Sequence, residues 1–121
     1  MKHKVQFITL EEDDKDLIIG FAVEDLETDV KSLILLRTLF YEELMDEEER
    51  GVKVSLEGDD FEDEDRNTLI DIQIEGNDIA IKSTFREYQL DISGVDKAEI
   101  EGMIQLLKKQ NYDNRFTMRV A

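Results

Sequence analysis

The sequence predicts an α+β fold with a mainly antiparallel sheet of about six to seven strands and two helices packed on one face. Short alternating apolar segments separated by polar turns predict the strands, and two longer segments with apolar residues at helical spacing predict the helices. The predicted order is β-β-α-β-β-β-(β)-α-β, in which hairpins favour antiparallel pairing. With 121 residues, 40% of them hydrophobic, the chain fits one domain covering residues 1–121.

The first two predicted strands form a hairpin. Residues 5–10 have strand character, and residues 17–23 are apolar at positions facing both ways, which is typical of a central strand. The polar stretch between them, residues 11–16, is the predicted connection.

The first predicted helix covers residues 29–50. Thr28 or Asp29 can cap its start, and Gly51 stands where a left-handed C-terminal cap belongs. At the helical period one broad face collects most of the apolar side chains, namely Val30, Leu33, Ile34, Phe40, Tyr41, Leu44 and Met45. Residues 32–41 also fit a strand, but the length of the segment and its Glu-rich continuation favour a helix.

Three residues interrupt this amphipathic pattern. Arg37 falls near the middle of the apolar face, and because an unpaired buried charge is very costly, we expect it to form a structural ion pair. Leu35 and Leu39 fall on the polar side, four residues apart. They either contact another part of the same domain or form a self-association patch.

The rest of the chain predicts a strand meander, a second helix and a last strand. Alternating segments predict strands at residues 52–57, 70–74, 79–81 and 88–92. Gly76-Asn77 predicts a two-residue hairpin turn. Asp96 and Glu99 have capping-box spacing at the start of the second helix, whose apolar stripe is Ile100, Met103, Ile104 and Leu107. Residues 116–120 predict the final strand.

Composition excludes several kinds of chemistry. The chain has no cysteine, which excludes disulfides, thiol nucleophiles and cysteine-ligated metals. His3 is the single histidine, too close to the N-terminus for a catalytic triad or a histidine metal site. The six glycines are scattered and form no phosphate-binding loop. No segment has the apolar run of a signal peptide or a membrane span, so we expect a cytoplasmic protein.

The net charge is −16, and it is unevenly distributed. Residues 1–66 hold 22 acidic and 8 basic side chains, a net of −14, whereas residues 67–121 hold 9 and 7, a net of −2. Nucleic acids and anionic membranes repel such a chain, since both are bound through Lys and Arg patches. The partner that this charge attracts is a basic protein surface.

Two acidic groups provide the candidate binding residues. The first lies at the end of the predicted first helix and contains Glu42, Glu43, Asp46, Glu47, Glu48 and Glu49. The second is the loop 58–67, which we expect to be mobile, with Asp59, Asp60, Phe61, Glu62, Asp63, Glu64 and Asp65. Carboxylates at a helix C-terminus oppose the helix dipole, so folding does not explain the first group. Both groups either keep the chain soluble or recruit a partner, and Phe61 either packs on the sheet or anchors that partner.

The acidic loop does not match a calcium-binding loop. When it is aligned from Asp63, Thr68 stands where glycine is required, and Ile74 stands where the last glutamate is required. We therefore expect no specific metal site and no cofactor.

These observations predict a non-catalytic interaction domain that presents an acidic surface to a basic partner, as inhibitors, immunity-type proteins and DNA mimics do. One alternative is a homodimeric chaperone or adaptor that associates through Leu35 and Leu39 and uses its acidic residues for solubility. Another is a carboxylate-dependent enzyme that uses Mg²⁺, although no motif selects its residues.

Overall fold

The structure, a computed structural model, describes residues 2–24, 30–58 and 66–121. Within these ranges, eight strands form one sheet, and one α-helix, α1, covers Lys97–Gln110. The strands are β1 (Lys2–Glu12), β2 (Asp16–Glu24), β3 (Val30–Thr38), β4 (Lys53–Leu56), β5 (Leu69–Glu75), β6 (Asp78–Ser83), β7 (Glu87–Asp91) and β8 (Thr117–Val120). Two single 3-10 turns, Glu42–Leu44 and Glu47–Glu49, lie between β3 and β4.

The strand order in the sheet is β4-β3-β2-β1-β7-β6-β5-β8. Most neighbours are antiparallel, as the predicted hairpins require, and the Gly76-Asn77 turn joins β5 to β6. Two pairs are parallel: β1 with β7 and β5 with β8. The first of these pairs joins the N-terminal half of the sheet to the C-terminal half.

The sheet curls until its β4 edge meets the start of β5. An antiparallel bridge joins Lys53 to Thr68, and the N–H of Val54 donates to the carbonyl of Asn67 at 2.8 Å. The N–H of Leu69 also donates to the carbonyl of Val52 at 2.7 Å. Because of this curl, the sheet has an inner face that holds one continuous apolar core and an outer face turned away from it.

Helix α1 packs on the inner side against β1 and β2. Asp96 caps it by accepting from the N–H of Ala98 at 3.2 Å, which agrees with the predicted start of the helix. The carboxylate of Glu99 accepts from the N–H of Ile8 at 2.9 Å and so joins the helix to β1. The buried side chains of α1 are Met103, Leu106, Leu107 and Gln110.

The predicted helix over residues 29–50 is wrong. Residues 30–38 form β3, which pairs with β2 on one side and β4 on the other. Leu33 and Leu35 are fully buried on the inner face, at the alternating spacing of a strand. Gly51 has the predicted left-handed backbone, with φ 110°, but it follows a 3-10 turn. The caps predicted at Thr28 or Asp29 lie outside the described residues.

The structure therefore confirms the α+β class and corrects its details, since the described residues contain eight strands and one α-helix. No helix in this part of the chain combines the length and the apolar character needed to cross a bilayer.

We expect the curled sheet to depend on Asn67, whose side chain is fully buried between β4 and the β6–β7 turn. Its amide donates to the carbonyl of Val54 at 2.8 Å and accepts from the N–H of Phe85 at 3.0 Å. Asn67→Ala removes a partner from the buried carbonyl of Val54 and from the partly buried N–H of Phe85, and it should cost about 2–4 kcal/mol of unfolding free energy, measured by urea denaturation. Gln89→Ala, at an exposed position on β7, is the control and should change little.

Candidate functional site

The candidate site is built on the segment that follows β3. At Leu39 the chain leaves the sheet, with its N–H donating to the carbonyl of Lys15 at 2.6 Å. The two 3-10 turns then follow, closed by bonds such as Met45 N–H to Glu42 carbonyl and Arg50 N–H to Glu47 carbonyl. The acidic residues that the sequence placed at a helix C-terminus therefore lie in short turns, where no long helix dipole acts on them.

Arg37 anchors this segment from inside the protein. Its side chain is fully buried at the end of β3, on the same face as the core residues Leu33 and Leu35. Its guanidinium donates to both oxygens of Glu42, at 3.0 Å and 2.5 Å, and to both oxygens of Asp113, at 2.8 Å and 2.9 Å. It also donates to the carbonyl of Gln110 at 2.7 Å and to the hydroxyl of Tyr112 at 3.1 Å.

These contacts explain why a fully buried arginine is tolerated. Two carboxylates bind it through both of their oxygens, and the ring of Tyr112 lies 4.2 Å from its central carbon. Burial alone lowers the pKa of Arg37, but the hydrogen bonds and charges of Asp113 and Glu42 outweigh burial and raise that pKa above its ordinary value. The predicted structural ion pair of Arg37 is confirmed.

Two further arginines extend the cluster toward the surface. Arg115 donates to Asp113 at 2.8 Å and to Glu47 at 3.0 Å. Arg50 lies 3.5 Å from Glu47 and donates to the carbonyls of Met45 and Glu43, both at 3.2 Å. The hydrogen bond from Arg37, and secondarily that from Arg115, lowers the pKa of Asp113 to about 2 against the opposing effect of burial.

The segment held in this way exposes large apolar side chains. Phe40 is 62% exposed, Tyr41 is 53% exposed and Leu44 is 84% exposed. Phe40 and Tyr41 are in edge-to-face contact, with ring centroids 4.8 Å apart, and Lys15 lies 5.9 Å from the Phe40 ring.

Exposed carboxylates are neighbours of these side chains along the chain. Glu43 and Asp46 are exposed and form no ion pair within the described residues, while Glu47 is exposed and bound to Arg115. We call this combination the 40–49 surface; it consists of Phe40, Tyr41, Glu43, Leu44, Asp46, Glu47 and Glu49. Beside it opens a cavity of about 200 Å³ lined by Leu39, Glu42, Glu43, Arg50, Tyr112, Asp113 and Arg115.

The structure separates the predicted binding residues into three groups. Glu43, Asp46 and Glu47 are exposed, Glu49 is half-buried, and Glu48 lies in the second 3-10 turn. Glu42 is only 8% exposed and is occupied by Arg37, so it supports the site from beneath. The candidates Asp59, Asp60, Phe61, Glu62, Asp63, Glu64 and Asp65 lie outside the described residues.

The predicted self-association patch has no basis in this fold. Leu35 is fully buried in the core, and Leu39 is half-buried and packed against it. The helical face that would have brought the two together does not form, because residues 30–38 are a strand.

Several contributors to the site were missed from the sequence. Tyr112, Asp113 and Arg115 follow α1 and approach Arg37 only through the tertiary fold. Phe40, Tyr41 and Leu44 were assigned to a buried helical face and are exposed instead. Within the described ranges, no group of three or more histidine, aspartate or glutamate side chains is arranged to hold a metal ion.

Comparison with known proteins gives no relative: no family model matches the chain, and neither the curated proteins nor the solved structures include a match. The fold and the site are therefore interpreted from their own geometry.

Replacing Arg37 should strongly destabilise the protein. Arg37→Leu leaves the buried carboxylate of Glu42 without its counter-charge, and we expect a loss of about 3–5 kcal/mol of unfolding free energy in urea denaturation. The double variant Arg37→Leu with Glu42→Leu removes the two buried charges, while Asp113 keeps its ion pair with Arg115, and it should recover more than half of that loss. A single variant as stable as the wild type would show that the cluster contributes nothing to folding.

The low pKa of Asp113 predicts a specific loss of stability in acid. The pKa of Asp113 in the folded protein, about 2, lies below its ordinary value of 3.8. The ionised carboxylate therefore stabilises the folded state fully at pH values above 3.8. This stabilisation should disappear as pH falls from about 4 to about 2. Asp113→Asn should flatten the unfolding free energy across that window, measured by denaturation at several pH values. Asp46→Asn, at an exposed carboxylate outside the ion pairs, is the control.

Proposed function

We propose that this protein is a non-catalytic interaction domain that presents an acidic surface with an apolar centre to a basic protein partner. The observation that carries the proposal is the 40–49 surface, where Phe40, Tyr41 and Leu44 are exposed among carboxylates. We also expect this partner to be met in the cytoplasm. Direct binding of nucleic acid or of an anionic membrane is disfavoured by the net charge of −16.

The composition of the 40–49 surface supports this proposal. Protein interfaces place aromatic and large aliphatic side chains at their centre and charged residues at their rim. Here two aromatic rings in edge-to-face contact and a leucine form the centre, and Glu43 and Asp46 are their neighbours along the chain. Exposed leucines are common singly, but Leu44 lies in the same turn as the exposed Tyr41, whose carbonyl accepts from the Leu44 N–H at 3.0 Å.

The rigidity of its support is a second argument. Arg37 binds the segment to the end of β3, and Arg115 binds it to the residues after α1. Arg50 donates to carbonyls within the segment itself. A surface held in one conformation loses little entropy when it binds, so more of the contact energy remains as affinity. The cluster also pairs Glu42, Glu47 and Asp113 with three arginines, and it leaves Glu43 and Asp46 exposed and outside these ion pairs.

The charge distribution of the whole chain is a third argument. The 40–49 surface lies within residues 1–66, which carry a net of −14. Such a field attracts basic proteins over a distance comparable to the Debye length and can raise their association rate about 10–10³-fold. Binding of this kind weakens as the salt concentration rises.

The test is a pull-down from a lysate of the native source at low salt, followed by elution with a rising salt gradient. A basic protein should be retained by the wild type and released by salt. Phe40→Ser and Leu44→Ser should each weaken its retention about tenfold or more, because central apolar contacts carry much of the affinity at interfaces.

The matched control is Val120→Ser, which removes an exposed apolar side chain, 49% accessible, from β8. It should retain the partner as the wild type does. Retention that is indifferent to salt, or that falls equally in all three variants, would contradict the proposal. Circular dichroism checks that each variant is folded.

A further inference from the structure

The outer face of the sheet has two contrasting halves. Where side chains alternate along β5, β6 and β7, the outward positions are almost all polar: Asp71, Gln73, Lys82, Glu87, Gln89 and Asp91. Along β1, β2 and β3, the outward positions near the middle are largely apolar: Phe7, Ile18, Ala22, Ile34 and Leu36. The first half is typical of a face that meets water, and the second is not.

The strand register orders the apolar half into rows. One row runs across four strands as Glu11, Ile18, Leu36 and Lys53. The next row contains Thr9, Gly20, Ile34 and Ser55, and a third contains Phe7, Ala22 and Ser32. The first row has Glu11 at one end and Lys53 at the other, the second has no ionisable side chain, and the third is followed at its edge by Glu57, which is hydrogen-bonded to Ser32.

We propose that this apolar half of the outer face is the interface of a homodimer, in which a second copy of the chain packs against it face to face. A basic partner would need carboxylates, and the centre of this face has none. A second copy instead supplies matching apolar rows. Phe7, which is 48% exposed, and the half-buried Ile18, Ile34 and Leu36 would then lose their remaining contact with water.

Charge complementarity selects a particular two-fold arrangement. We place the axis in the interface plane, along the strands and between β2 and β3. With this axis, Ile18 of one copy lies opposite Leu36 of the other, and Glu11 of one copy lies opposite Lys53 of the other. Two identical ion pairs form in this way, one at each side of the interface, as an isologous dimer requires. Face-to-face sheets pack with their strands within about 30° of each other, which this axis allows.

The dimer should respond to salt in the opposite sense to the basic partner. Each copy carries −16, so two copies repel each other at low ionic strength. Added salt screens this repulsion and leaves the apolar contact, so dimerisation should strengthen as salt rises. The two proposals therefore use different surfaces and can fail separately.

The first test is sedimentation equilibrium of the full chain at low and high salt. The wild type should dimerise, more tightly at high salt. Ile34→Glu places a charge at the centre of the interface and should weaken the dimer about a hundredfold or more. Phe7→Glu changes a more exposed side chain, so it tests the interface even if Ile34→Glu does not fold, and it should also weaken the dimer. The control Gln89→Glu adds the same charge to the polar half and should leave the dimer intact.

The second test examines the two-fold arrangement through charge exchange. Glu11→Lys and Lys53→Glu should each weaken the dimer about tenfold, because each single variant places like charges opposite each other at both sides. An equal mixture of the two variants should recover association, since lysines of one copy then meet glutamates of the other.

A wild type that remains monomeric at high salt would overturn the proposal. So would a dimer that survives both Ile34→Glu and Phe7→Glu, because the interface would then lie elsewhere. A mixture of the charge variants that associates no better than either variant alone would overturn the two-fold arrangement.

Discussion

The buried guanidinium of Arg37 is the constraint around which the rest of the structure is arranged. A charge inside an apolar core must be matched nearby, and β3 itself offers no acid on the inner face to do so. Glu42 reaches it because the chain turns sharply after β3, and Asp113 reaches it because α1 ends against that strand. One side chain thus fixes the exit of β3 and the position of the last turn of the helix.

The two surfaces of interest follow from the way the apolar residues are distributed. Leu33 and Leu35 fill the inner face of β3, and Arg37 with its carboxylates closes the end of that face. Phe40, Tyr41 and Leu44 therefore project beyond the core, and Ile34 and Leu36 project to the outer side of the sheet. Each surface groups several apolar side chains that the core does not cover, which is why we propose a partner for each.

Local patterns in the sequence predict most of this fold, and the exception has a clear physical cause. Short apolar segments, most of them alternating, identify β1, β2 and β4 to β8, and Asp96 identifies the start of α1, because these signals lie within a few residues of each other. Residues 30–38 have apolar side chains on both faces of the strand, and this spacing is also compatible with a helix. The segment is a strand because it pairs with β2 and β4, which are tertiary contacts. Similarly, the need of Arg37 for an acid is evident in the sequence, whereas Asp113, 76 residues away, is not.

The pairing of Lys2–Lys4 with Gln89–Asp91 has a consequence for how the chain folds. Four antiparallel pairs are adjacent in sequence, so forming each of them closes only a short loop: β1–β2, β2–β3, β5–β6 and β6–β7. The β1–β7 pair instead joins Lys2 to Gln89, the largest sequence separation of any strand pair in the sheet, so it carries the largest single entropic cost of loop closure. Folding therefore divides into two fast local meanders and a slow long-range junction between them, and β1 pairs early with β2 but gains its second neighbour only when that junction forms.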